Sequence, residues 1–379
     1  MIMEEKKIVC INQYHLNPRS KRLSYVETFQ RTGIKFEYWD TTDFFSMSKD
    51  DVEEREEPDY VKKYSSLEDI EKALSLCDCK HSLFFIGVPE RLKDRLFFKL
   101  MSDHGCRIIK VDQCANTLRI RKNVSDYISF LCSPTRVVEF FKRSLLIKYF
   151  NKYNIRYFDV FSSSALGNRT RSINHPDYDD YQSAIRHTVE RIAEKPYAVF
   201  YDSYFPLHPD FKHIHKLKMK IDYDHYLKSM NTFFDWIEQK YSLKVVIAAH
   251  PSSKYSPNDF CGREIIKWHT CELTLNAQII INQSSNSASF ALLANKPIIF
   301  ITNDDIEKCN YLSRYIDTLS QALGKEKYNI DSYGYNRMII SPVHEDLRQK
   351  YIYTYLTDKS IEKKNNDEIF TEYVKSQID

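Results

Sequence analysis

Two short phrases in the second half of the chain carry residue types suited to holding a phosphate. Ala249-His250-Pro251 ends the apolar run Lys244–Ala248, and Asn282-Gln283-Ser284-Ser285-Asn286-Ser287 follows the run Gln278–Ile281. A buried strand should stop at each, and ligands bind at the carboxyl edge of an open α/β sheet. Proline pushes the residue before it out of the helical region, so His250 is expected to end its strand extended, with its imidazole toward the cleft. An imidazole there can donate to a phosphate or to a developing negative charge. Ser284, Ser285 and Ser287 fall where the next helical pattern starts, and free N–H groups and the positive dipole end favour an anion there. One such serine is an ordinary N-cap. Three, beside Asn282, Gln283 and Asn286, predict a phosphate site.

A third phrase, Phe200–Asp210, also follows an apolar run. Asp202 stands at its strand end and is the general-base candidate for an acceptor hydroxyl; the competing reading is a turn residue. His208, His213 and His215 fit no zinc spacing and have no cysteine pair nearby, so no metal site is expected. Between the two phosphate phrases lies Trp268-His269-Thr270-Cys271-Glu272. His269, Thr270 or Glu272 could touch a base or ribose, and Thr270 could equally cap the next helix.

The elements that must position these residues alternate between strand and helix patterns. In the first half, Ile8–Gln13, Lys35–Trp39, Ser82–Val88 and Arg107–Val111 read as strands. Ser65 and Glu68 have the spacing of a capping box, opening a helix to about Leu76. Pro89 suits the first turn of a helix through Met101. Ser133-Pro134 opens a long helix to about Phe150, with Val137, Val138, Phe140, Phe141, Leu145 and Leu146 on its inner side. Asn151–Asp180 is the expected junction, with a strand candidate at Arg156–Phe161 and then the polar stretch Ser162–Asp180. The second half repeats the alternation, with strands at Tyr197–Tyr201, Lys244–Ala248, Gln278–Asn282 and Pro297–Thr302. Strands separated by helices imply parallel sheets. The expected fold is α/β: two Rossmann-like domains facing across a cleft, at residues 1–165 and 166–343, then a C-terminal helix and polar tail at 344–379. No GxGxxG fingerprint and no GxxxxGK[ST] loop occurs, which argues against ordinary NAD and P-loop readings.

Composition limits the partners. At 379 residues the chain exceeds what one core usually holds, and a net charge of +3 gives no reason to expect nucleic acid. The basic run Lys212–Lys220 reads first as a solvated face and second as a contact for anionic lipid or glycan. Nine scattered cysteines without a CxxC suit reduced thiols in a cytoplasmic protein. The N-terminal residues lack an apolar signal core, and no apolar stretch nears the ~20 residues that span a bilayer. A cytoplasmic protein is expected, with peripheral contact on the inner membrane face allowed.

His-Pro after one strand and Ser-Ser after a later strand, in the second of two Rossmann-like domains, resemble bacterial GT-B glycosyltransferases. The similarity is to the sialyltransferase and Kdo-transferase type. In that group an acidic motif supplies the base while the His-Pro and Ser-Ser motifs hold the donor phosphate. The resemblance implies that His250 and Pro251 match the second motif, and that Ser284 and Ser285 match the third. Asp202-Ser203-Tyr204 matches the acidic motif in part: the group has paired acids and a glycine there, usually in the N-terminal domain. The implied activity is metal-independent, inverting transfer of a nonulosonic acid or Kdo from a CMP-activated donor to a glycan or lipid-linked glycan acceptor. The product would be a capsule or lipopolysaccharide. Competing readings are a UDP- or GDP-sugar transferase, a polyol-phosphate transferase, and a non-catalytic nucleotide- or glycan-binding module.

Overall fold

The structure, a computed structural model, describes residues 6–45, 55–113, 133–186, 192–193, 196–208, 221–256 and 258–378. The chain forms two compact units. Described residues up to Asn174, together with 358–378, make the first, and His175–Thr357 makes the second.

The first unit is built on seven parallel strands: β1 (Lys7–Asn12), β2 (Lys35–Asp40), β3 (Val61–Lys63), β4 (Leu83–Gly87), β5 (Arg107–Asp112), β6 (Asp159–Ser162) and β7 (Arg171–Ser172). Their order is β3-β2-β1-β4-β5-β6-β7. Every residue of β1 is buried, as expected of a parallel strand covered on both faces. The period of two divides its side chains between two cores. Ile8 and Cys10 pack with Phe29, Phe85 and Phe370, whereas Val9 and Ile11 pack with Trp39, Phe84 and Phe98. Phe370 comes from the last helix, Asn366–Ile378, and its ring lies 4.5–5.8 Å from those of Tyr25, Phe161, Phe29 and Phe85.

The second unit holds six parallel strands: β8 (Tyr197–Tyr201), β9 (Lys244–Ala249), β10 (Ile265–Lys267), β11 (Ile279–Asn282), β12 (Ile298–Thr302) and β13 (Lys327–Asn329), in the order β10-β9-β8-β11-β12-β13. In each sheet the first three strands run outward one way and the fourth returns beside the first. Both are thus the Rossmann order, with the reversal at β1/β4 and at β8/β11, and ligands bind at the carboxyl ends of such strands.

Several sequence-level boundaries shift. Residues 166–174 stay with the first unit because β7 extends its sheet from β6. The segment read as one tail divides: the Glu345–Tyr351 helix remains with the second unit, and Asn366–Ile378 completes the first. The polar junction contains the start of a helix, Pro176–Arg186, with proline in its first turn. The capping serine is Ser66, not Ser65: its hydroxyl accepts the Asp69 N–H at 3.1 Å and bonds the Asp69 carboxylate at 2.7 Å. After Pro89 the chain makes a 3₁₀ turn at Leu92–Asp94 before the helix Arg95–Asp103. The long helix runs over Pro134–Lys152, but of its expected inner residues Val138, Phe140, Phe141 and Leu145 are 48–60% exposed and only Leu146 is buried. The run 212–220 lies outside the described residues.

Candidate functional site

β8 is buried throughout, and the next residue is Asp202. Its backbone N–H donates to the Ala248 carbonyl at 3.1 Å. One carboxylate oxygen accepts the His250 N–H at 3.0 Å, and the other accepts the Tyr204 N–H and the Tyr255 hydroxyl, both at 2.8 Å. Asp202 therefore ties the loop after β8 to the loop after β9. The residue is 5% exposed. Burial pushes its pKa up, and the three donors oppose that shift without cancelling it. Tyr204 sits in the left-handed region at φ 54°, a conformation that costs a non-glycine residue about 1–2 kcal/mol. Its N–H bond to Asp202 and its edge-on packing against Tyr255 at 5.3 Å hold it there.

His250 follows β9. Its Nδ1 accepts the Ser252 N–H at 3.2 Å, so the proton of the neutral ring sits on Nε2, where it can donate to an anion. The His208 ring packs edge-on against it at 4.6 Å. Pro251 lies in a turn closed by the Ser253 N–H donating to the His250 carbonyl at 2.9 Å. Across the strand-order reversal, the hydroxyls of Ser203 and Ser284 lie 3.2 Å apart, linking the ends of β8 and β11. Ser285 Oγ accepts the Ser287 N–H at 3.3 Å, and Ser287 caps the helix Ala288–Leu293 without a side-chain bond to it. That helix has six residues, so its dipole is small and the hydroxyls are the better anion donors. Two buried polar groups at these strand ends lack a partner among the described residues: the Ser253 hydroxyl and both amide atoms of Asn282. Such orphans are rare in folded proteins and mark places where a ligand or ordered water belongs.

The structure thus brings Asp202, His250, Pro251, Ser284, Ser285 and Ser287 to neighbouring strand ends. Gln283 is taken up structurally, between the Tyr226 hydroxyl at 3.1 Å and Met230 Sδ at 3.1 Å. Thr270 and Glu272 belong to the helix Thr270–Asn276 after β10, the edge strand, and their hydrogen bonds stay within that helix. Glu272 also lies 3.7 Å from His269. Beside them Trp268 is 73% exposed at φ 71°, a strained display of an aromatic face.

A further pair was missed in sequence. At the carboxyl ends of β1 and β2 in the first unit, His15 Nδ1 meets Asp40 Oδ2 at 2.6 Å. Asp40 is 5% exposed and also accepts the Thr42 N–H at 3.0 Å and the Thr42 hydroxyl at 2.6 Å. Burial raises its pKa, but the Thr42 and His15 bonds outweigh it and hold the carboxyl below the usual range. A buried carboxylate that fixes the Nδ1–H tautomer leaves Nε2 as the proton acceptor. His15 and Asp40 line a cavity of about 360 Å³ with Arg55, Lys63 and Tyr64. The available signal was positional: a histidine three residues beyond one strand, and an aspartate ending the next.

Among the described residues no group of three or more His, Cys, Asp or Glu could hold a metal ion, and no helix is long and apolar enough to cross a membrane. No family model and no curated protein matches the chain. Similar solved structures include the wall teichoic acid polymerase TagF, at 13% identity over 99% of this chain and 89% of that one, with a TM-score of 0.48. MurG of Acinetobacter baumannii overlaps at 9% identity, over 98% of this chain and 99% of that one, with a TM-score of 0.42. UDP-GlcNAc 2-epimerase of Methanocaldococcus jannaschii does so at 13%, over 98% and 99%, with a TM-score of 0.46. At these values the likeness assigns neither activity nor substrate.

Proposed function

We propose that this chain is a glycosyltransferase of bacterial surface-glycan assembly, using a nucleotide-activated sugar and a glycan or lipid-linked glycan acceptor. The carrying observation is the buried Asp202 carboxylate at the end of β8, which fixes His250 at the end of the neighbouring β9, next to the reversal of strand order where the Ser203–Ser284 pair and the orphaned Asn282 amide stand. In this reading His250 Nε2–H and the hydroxyls of Ser284, Ser285 and Ser287 meet the donor phosphate and the charge it gains on leaving. Preorganised donors of this kind can do the work of a divalent cation, and transfer is metal-independent. Thr270, Glu272 and the Trp268 face are assigned to the nucleoside.

Asp202 passes from base to positioning residue, because a base needs an open oxygen and this carboxylate already serves three donors. The acceptor oxygen attacks the anomeric carbon as the bond from that carbon to the leaving phosphate oxygen breaks, with inversion. The acceptor proton is released to solvent as the new bond forms. The donor carried forward is a CMP-activated nonulosonic acid or Kdo, on the strength of the His-Pro and Ser-Ser motifs. A cytoplasmic location, suited to nine cysteines without a CxxC, goes with it.

The test is thermal stabilisation by CMP, CDP, UDP, GDP and ADP, since a ligand that binds the folded state raises the melting temperature. A CMP shift lost in His250→Ala and kept in His15→Asn is the expected result. A shift with a diphosphate nucleotide alone replaces the donor. No shift with any nucleotide sinks the transferase reading.

A further inference from the structure

The Pro134–Lys152 helix is held at one end. Leu146 is buried, the Phe150 ring lies 5.3 Å from that of Phe98, and the Arg95 guanidinium sits 5.8 Å over Tyr149. Elsewhere its apolar residues face outward. Val138, Phe141 and Leu145 are 48%, 60% and 52% exposed. Their spacing of three and then four residues places them in one stripe along the helix. Scattered exposed apolar residues are normal on a protein surface, but a continuous apolar stripe marks an interaction site.

The charges on the helix narrow the partner. It carries Arg136, Lys142, Arg143, Lys148 and Lys152 against one acid, Glu139. Lys142 pairs with Glu139 at 2.7 Å, and the other four cations form no ion pair among the described residues. At 3.6 residues per turn, Lys142 and Lys148 flank Leu145 at about 60° on either side, and Lys152 continues the line of the stripe. Two copies of this helix meeting through the stripe would bring like charges together. A surface that is apolar beneath and anionic above has the complementary layout.

We propose that this helix docks the protein on an anionic lipid surface. Val138, Phe141 and Leu145 enter the boundary between headgroups and acyl chains, and Lys148 and Lys152 meet lipid phosphates. The proposal is independent of the donor chemistry assigned to the second unit.

The test is co-sedimentation of the full chain with vesicles of phosphatidylcholine alone and of phosphatidylcholine with one-third phosphatidylglycerol. Binding to the anionic vesicles only, weakened by 0.5 M salt, is expected. Lys148→Gln with Lys152→Gln should reduce it about 25-fold, on a scale of roughly fivefold per basic residue near such a surface. Phe141→Ser with Leu145→Ser should reduce it at least as much while leaving the melting temperature unchanged, because both side chains already face outward. Absence of binding to the anionic vesicles, or binding that both variants retain, overturns the proposal. So does light scattering that shows a dimer in the parent and a monomer in Phe141→Ser with Leu145→Ser, which would make the occupant a second copy.

Discussion

Asp202 and Asp40 are both buried carboxylates at strand ends, yet their protons respond in opposite senses. Asp40 is held below the ordinary 3.8, so it favours the fold when ionised. That contribution is present above the unfolded value and is lost as pH falls through the depressed one. Asp40→Asn should therefore cost about 1–2 kcal/mol at pH 7, with the gap to the parent closing below about pH 3.8 in denaturant titrations. Asp202 is raised, so its ionisation works against the fold as pH climbs from 3.8 to the raised value. What it gives in return is fixed geometry. Asp202→Ala strands the His250 and Tyr204 N–H groups and the Tyr255 hydroxyl, and should cost about 3 kcal/mol or more, with nucleotide affinity lost alongside. His250→Ala should stay within about 1 kcal/mol of the parent in urea unfolding and lose affinity alone. His250 and the serines were legible because proline and clustered hydroxyls leave local marks. The His15–Asp40 pair was not, because its members are 25 residues apart in sequence and only the β1–β2 pairing brings them together.

At the level of elements, the continuous apolar runs identified the central strands of both sheets, since a parallel strand covered on both faces must be apolar, whereas the short polar edge strands β3, β7 and β13 gave no such signal. Caps were harder to place. Ser65 and Ser66 are adjacent, and Glu68 and Asp69 both offer a carboxylate three residues on. The structure selects Ser66 with Asp69. Ser66→Ala should accordingly lower stability by about 1 kcal/mol, and Ser65→Ala should leave it nearly unchanged, as read from paired urea curves. The Pro134–Lys152 helix shows the reverse limit. Its apolar residues predicted a buried face, and periodicity cannot tell a face that meets the core from one that meets another surface.

At the level of the molecule, two Rossmann-order sheets were legible from the alternation of elements, but the path of the chain between the units was not. Nothing local in Asn366–Ile378 says that it belongs with strands that ended before Asn174; Phe370, wedged among Phe29, Phe85 and Phe161, and Tyr373, bonded to Asp159, make that plain. Phe370→Ala should cost about 3–5 kcal/mol. Hydrogen exchange should show the loss of protection in β1, β4 and β6, with β8 and β11 unchanged.

This return of the chain has a consequence during synthesis. The seventh strand of the first sheet is complete at Ser172, but the helix that covers Phe85 and Phe161 ends at Ile378. At ribosomal speeds the roughly 200 intervening residues take about 10–40 s to emerge. Through that interval Phe85 and Phe161 lack their contact with Phe370 while the entire second unit is made and can fold.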